Sequence, residues 1–155
     1  MKNIFEELSN LYDEIDSFYA TKEFEARVKG FNKKETEWRR KIDLNDHAYF
    51  LFMFTRLEDR IREQSSQLIT TKQTILVNWK MRSAWDILPK EKESVRIHFK
   101  NRVALLVEKG SSDYNLIMDY YKLRNTIAHG GNFTTPINIS NVLSNMERLD
   151  KNLKV

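Results

Sequence analysis

Apolar positions recur along most of this chain at spacings of three and four, the repeat that lines one face of an α-helix. Ile4, Leu8, Leu11, Ile15 and Phe18 follow one another at four, three, four and three residues and form one stripe on a first helix. Lys22 to Lys41 is strongly charged around Gly30 and Asn32. It reads as a charged connection around residues 22–42, mobile or partly helical. Phe50, Phe54, Leu57, Ile61 and Leu68 hold helical register on a long helix predicted from Asp46 to Leu68, with Asp43 or Asn45 as its N-cap. Tyr49, Phe52 and Met53 occupy its other faces, so its first half is expected to be the most enclosed part of the fold.

Thr74–Leu88 suits a shorter helix carrying Trp79 and Trp85, and Pro89 favours the first turn of another that runs to Lys109 and stops at Gly110. Ser112 is the expected cap of a helix from Asp113 to Ala128, closed by Gly130 and Gly131. Asn132–Pro136 reads as loop, and Ile139–Leu153 as a last helix. Four Gly and two Pro in 155 residues leave little material for the turns of a strand meander. The expectation is an all-α chain, one helical bundle of five to six helices forming a single domain over residues 1–155.

Composition narrows the chemistry. With no Cys, disulfides, thiolate metal sites and a cysteine nucleophile are excluded. The longest apolar run, Ala48–Phe54, is far too short to span a membrane. The first 25 residues carry seven acids and two lysines, unlike a secretory signal. A soluble, cytoplasmic protein with no membrane partner is expected. The net charge of +4 conceals two basic blocks. Arg27–Lys41 has seven basic and two acidic residues, and Lys80–Arg102 seven and three. A polyanion partner and ordinary solvated helix faces both account for them.

On a helical wheel with Leu116 at zero, Tyr120, Leu123 and Ile127 lie within about 40° and form a core stripe, widened on one side by Ile117, Tyr121 and Ala128. Arg124, at about 80°, falls inside this apolar arc, where a guanidinium needs an anionic partner. Asn125 and His129, at about 180° and 220°, turn away from the core. Glu58 lies at the edge of the core stripe of its own helix. It is either a partner for Arg124 or a solvent-facing member of a charged run with Asp59, Arg60 and Arg62. His47 and His98 read as structural or surface histidines. His129 is either a helix-ending cation or part of a site.

Tyr121-Lys122-Leu123-Arg124-Asn125-Thr126-Ile127-Ala128-His129-Gly130 resembles the signature of the HEPN superfamily, an Arg followed after four to six residues by His, commonly with Asn directly after the Arg. Tyr49–Glu58 is similar to the apolar, Glu-bearing early helix of the same domains. The resemblance implies an HEPN-like helical fold and, for many members, a metal-independent endoribonuclease of toxin–antitoxin, phage-defence or RNA-processing systems, often a homodimer. It also implies a possible antitoxin partner, and it admits a non-catalytic RNA- or nucleotide-binding module or a helical interaction protein. Arg124 and His129 take the catalytic positions and Asn125 the polar one, with Glu58 and Tyr121 as supporting residues. One branch carries a modifiable Tyr two residues after the His, where this chain has Gly131.

These residue types fit the implied reaction. RNA carries its own nucleophile, the 2′-hydroxyl. An imidazole could take its proton or protonate the leaving 5′-oxygen, and a guanidinium fork could hold the non-bridging oxygens. Asn125 could orient either partner. No metal or other cofactor is expected. A two-fold dimer would bring two His and two Arg into one cleft.

Overall fold

The structure, a computed structural model, describes residues 4–89, 97–133 and 137–154. Among them it is all-helical. The elements are α1 (Ile4–Val28), α2 (Asn32–Ile75), α3 (Trp79–Asp86), α4 (Phe99–Leu106), α5 (Ser112–Ala128) and α6 (Ile139–Asn152). No described helix is long and apolar enough to cross a membrane.

The charged stretch around residues 22–42 is helical except for a short turn. No Gly or Pro interrupts Asn32–Leu88, so nothing stops α2 at Asp43 or Asn45, and it runs 44 residues. Ion pairs replace apolar burial there, with Lys22–Glu25 at 3.0 Å, Arg39–Glu35 at 2.6 Å and Arg39–Glu23 at 3.0 Å linking α2 to α1. The turn is set by Gly30 at φ +69. Its N–H donates to Arg27 O at 3.0 Å and the Phe31 N–H to Ala26 O at 2.9 Å, the bond pair of a Schellman cap.

Other boundaries also move. The expected break between Leu68 and Thr74 is absent, and α2 ends instead at Ile75, before Asn78 caps α3 by accepting the Lys80 N–H at 3.0 Å. The helix expected over Pro89–Lys109 falls partly on residues 90–96, outside the described residues. Its described part is shorter, because extended backbone at His98 and Val107 bounds α4. On α5 the capping hydroxyl belongs to Ser111, which accepts the Tyr114 N–H at 3.2 Å, one residue before the expected Ser112. On α6, Asn138 accepts the Asn141 N–H at 2.9 Å.

The chain divides into two compact units. The first comprises Met1–Phe54 and Leu123–Glu147, with a core of Phe5, Tyr12, Phe50, Met53, Phe54, Ile127, Val142 and Met146. The second comprises Thr55–Lys122 and Arg148–Val155, with a core of Leu57, Ile61, Ile69, Val103, Ile117, Tyr120 and Leu149. The enclosed segment expected on the central helix is present: Phe50, Met53, Phe54, Leu57 and Ile61 are fully buried. In α1 the buried residues are Phe5, Tyr12 and Ala26, while Ile4, Leu11 and Phe18 of the expected stripe are exposed. The contacts of Tyr12 with α2 explain the rotation. Its hydroxyl donates to Asp46 Oδ1 at 2.8 Å and its ring packs edge-on against Tyr49.

Candidate functional site

The end of α5 and the C-cap residue after it lie in the first unit and carry three of the five candidate residues. Its end is a Schellman cap made by two glycines in different ways. Gly130, at φ +81, takes the left-handed backbone that an L side chain resists, and its N–H donates to Ile127 O at 2.9 Å. Gly131 donates to Thr126 O at 2.9 Å. It leaves no room for a side chain, since a Cβ there would meet Thr126 Cγ2 at 2.7 Å and Thr126 O at 2.8 Å. His129 is therefore held at the C-cap, with its N–H on Asn125 O at 3.1 Å and its ring exposed.

Arg124 and Asn125 are half-buried. The Arg124 Nη1 donates to Asn125 Oδ1 at 3.1 Å, so a neighbouring amide is one of the partners of this guanidinium. Side chains of adjacent helical residues do not normally face each other. The bond brings the Arg124 head round toward Asn125, on the side that the wheel assigns to His129. Ala128, expected on the widened core face, is exposed in this terminal turn.

The chain leaving α5 is pinned to α2. The Phe133 N–H reaches His47 Nε2 at 3.5 Å, and the two rings meet edge-on with centroids 4.4 Å apart. Phe133 also packs edge-on against Phe50. Arg40 Nη1 lies 3.5 Å from Asn132 Oδ1. A cavity of about 320 Å³ opens here, lined by Arg40, Asp43, Asp46, His47, Asn132 and Phe133. Burial, together with Asp16 and Asp43, holds the Asp46 carboxyl above its ordinary range against the opposing Tyr12 hydrogen bond. His47 is thus a buried, structural histidine, and Tyr12 and Asp46 join it only through contacts between distant segments of the chain, which no local pattern signals.

Glu58 and Tyr121 belong to the second unit. They share a cavity of about 540 Å³ with Arg62, Ile97, His98, Phe99 and Arg102. Glu58 Oε1 is 3.7 Å from Arg62 Nη2, and the Tyr121 ring stacks on Phe99 at 4.5 Å. Arg102 is 4% exposed; its Nη1 donates to Ser65 Oγ at 2.9 Å and Ser66 Oγ at 3.2 Å. Tyr120 is a core residue. The two tryptophans of α3 are not, Trp79 being exposed and Trp85 half-buried. The candidates thus fall into two groups, Arg124, Asn125 and His129 in one unit and Glu58 and Tyr121 in the other.

Among the described residues, no group of three or more His, Cys, Asp or Glu side chains is placed to hold a metal ion. No family model, curated protein or solved structure matches this chain.

Proposed function

We propose that this chain is a metal-independent endoribonuclease of the HEPN type, acting on RNA as a homodimer within a toxin–antitoxin or phage-defence system. The observation that carries the reading is the last turn of α5. It presents a guanidinium and an amide bonded to each other, and an exposed imidazole one turn on, at a helix end fixed by two glycines. In the reaction the 2′-oxygen attacks phosphorus and the P–O5′ bond breaks, leaving a 2′,3′-cyclic phosphate and a 5′-hydroxyl. One proton leaves the 2′-hydroxyl and one must reach the 5′-oxygen. His129 serves one of these transfers and His129 of a second copy the other. Arg124 takes the charge on the non-bridging oxygens, and Asn125 holds its fork in position.

An apolar stripe in the same unit supports self-association. Leu44, Ala48 and Phe52 lie at i, i+4 and i+8 on α2, and all three are exposed, Leu44 by 48% and Phe52 by 45%. The same stripe favours a second reading, a helical interaction module without turnover. Digestion of RNA in EDTA by wild type, His129→Ala and Arg124→Ala separates the two. The nuclease reading expects cyclic-phosphate ends from wild type and loss of cutting in both variants with the fold retained. Full activity in His129→Ala removes the mechanism, and a wild type that never cuts leaves the interaction module.

A further inference from the structure

The turn between α1 and α2 holds a second feature that the catalytic reading does not use. Two stripes of the same pattern line a groove of about 300 Å³, Lys22-Glu25-Ala26 on α1 with Lys29 in the turn just after it, and Lys34-Glu37-Trp38-Lys41 on α2. Each reads Lys, Glu, small or aromatic, Lys at i, i+3, i+4 and i+7, so each pair of lysines is separated by about 10 Å along its helix. Phe31 joins them at the closed end.

Cations and rings alternate over this tip. Lys41 Nζ lies 3.7 Å from the Trp38 ring centroid, Lys34 Nζ 5.5 Å from Phe31, Arg27 5.4 Å from Phe24 and Lys22 Nζ 5.9 Å from Phe18. Phe31 is 51% exposed and Phe24 55%. Of the nearby acids, Glu25 is engaged by Lys22, and Glu23 and Glu35 by Arg39, while Glu37 lies exposed on the groove wall against four lysines. Lys29, Lys34 and Lys41 stay exposed beside the rings. Trp38 is half-buried, braced by Phe18 and Tyr19 with ring centroids 6.1 and 5.8 Å away.

We propose that this groove binds single-stranded nucleic acid, with lysines on the phosphates and Trp38 and Phe31 as stacking platforms for bases. Lysines flanking a braced indole and an exposed phenyl ring match a flexible polyanion with flat bases. An anionic membrane would use the charge and the outer phenylalanines but would leave a braced, recessed Trp38 without a role. The surface deepens the ribonuclease reading by naming a substrate grip away from His129, yet binding here does not depend on catalysis.

The probe is a labelled 12-nucleotide single strand with 2′-deoxy sugars, which lacks the nucleophile and is not cut. Its binding to the full chain is followed by anisotropy at several salt concentrations, with Trp fluorescence alongside. Expected is salt-dependent binding with Trp quenching. The combined variant Lys29→Gln, Lys34→Gln, Lys41→Gln should flatten the log–log salt slope by about 2, roughly 0.7 per lost phosphate contact. Trp38→Leu should weaken binding on the order of tenfold, and Trp38→Phe should keep binding but lose most of the quenching. If Trp38→Leu does not fold, the exposed lysine variant decides alone. Wild-type affinity and slope in that variant overturn the proposal, even where RNA is still cut. Binding to 70:30 phosphatidylcholine–phosphatidylserine vesicles in place of the oligonucleotide overturns it too, and assigns the tip to a membrane surface. Loss of cleavage in His129→Ala with undiminished binding supports both readings independently.

Discussion

Replacing Gly131 by Ala tests whether the end of α5 is a built feature. The new Cβ would sit 2.7 Å from Thr126 Cγ2 and 2.8 Å from Thr126 O. Thr126 is exposed and its methyl can rotate away, but its carbonyl oxygen is fixed in the helix and accepts the Gly131 N–H at 2.9 Å. Relieving the overlap therefore means lengthening or losing that bond. Overpacking and a lost hydrogen bond together cost roughly 1–3 kcal/mol. Gly130→Ala and Gly110→Ala provide the comparison, because an added Cβ there meets nothing within 4 Å. Each pays only for left-handed backbone, at φ +81 and φ +89, about 1–2 kcal/mol. Urea unfolding with a shared m-value gives the three stabilities, and, on the ribonuclease reading, RNA cleavage gives the local effect. Gly131→Ala should fray the turn that places His129 and cut cleavage sharply. Gly110→Ala should lose stability alone. A Gly131→Ala protein with wild-type stability and wild-type cleavage would refute the steric argument.

Asp46→Asn should raise the urea midpoint at pH 7. Burial holds the folded-state carboxyl above its ordinary range, so its stabilising contribution is present at acid pH and is lost as pH rises through the raised value. An amide keeps an oxygen for the Tyr12 hydroxyl but does not titrate, so the variant should also show a smaller stability gain than wild type as pH falls from 7 toward the ordinary carboxylate range. A lower midpoint at pH 7 contradicts this. Arg102→Ala removes a buried side chain and the donor to Ser65 and Ser66, and should cost roughly 2–4 kcal/mol by denaturation; a change under about half a unit would show the cavity wall to be unimportant. On the homodimer reading, wild type sediments as a dimer, and Phe52→Asp on the exposed stripe should shift it to monomer while far-UV circular dichroism stays unchanged. A persisting dimer would place the contact elsewhere.

Helix content is legible because a repeat of three and four runs through most segments, but the start of α2 and the buried face of α1 are not. Asp43 and Asn45 are good caps in isolation, yet they sit inside α2, because no residue before them breaks the helix and charged pairs sustain it where apolar burial is absent. On α1 the spacing of Ile4, Leu11 and Phe18 is helical but does not rank the faces of a helix that is apolar over a wide arc. Tyr12, fixed by Asp46 and Tyr49 from α2, sets the rotation and leaves that trio exposed. Spacing reports periodicity. Which side is buried depends on a partner far along the chain.

The same distinction explains what the sequence revealed of the site. The Arg-Asn pair and the two glycines act within a few residues of one another, so their chemistry is readable locally. His47 acts on Phe133, 86 residues away, and nothing near His47 announces it. On a wheel alone, Arg124 and His129 diverge by about 140°, which argues against a shared site. That inference treats a side chain as a radial vector. Arginine is long enough to lie along the helix surface with its head far from the direction of its Cα, and it does so where a neighbour offers an acceptor. Asn125 offers one, and the bond holds the guanidinium against the neighbouring amide at 3.1 Å while both residues stay half-buried. An Asn directly after the Arg is thus more than a polar neighbour. On the ribonuclease reading, it fixes the head of a charge whose backbone position faces the core, so that the fork is already oriented when a phosphate arrives.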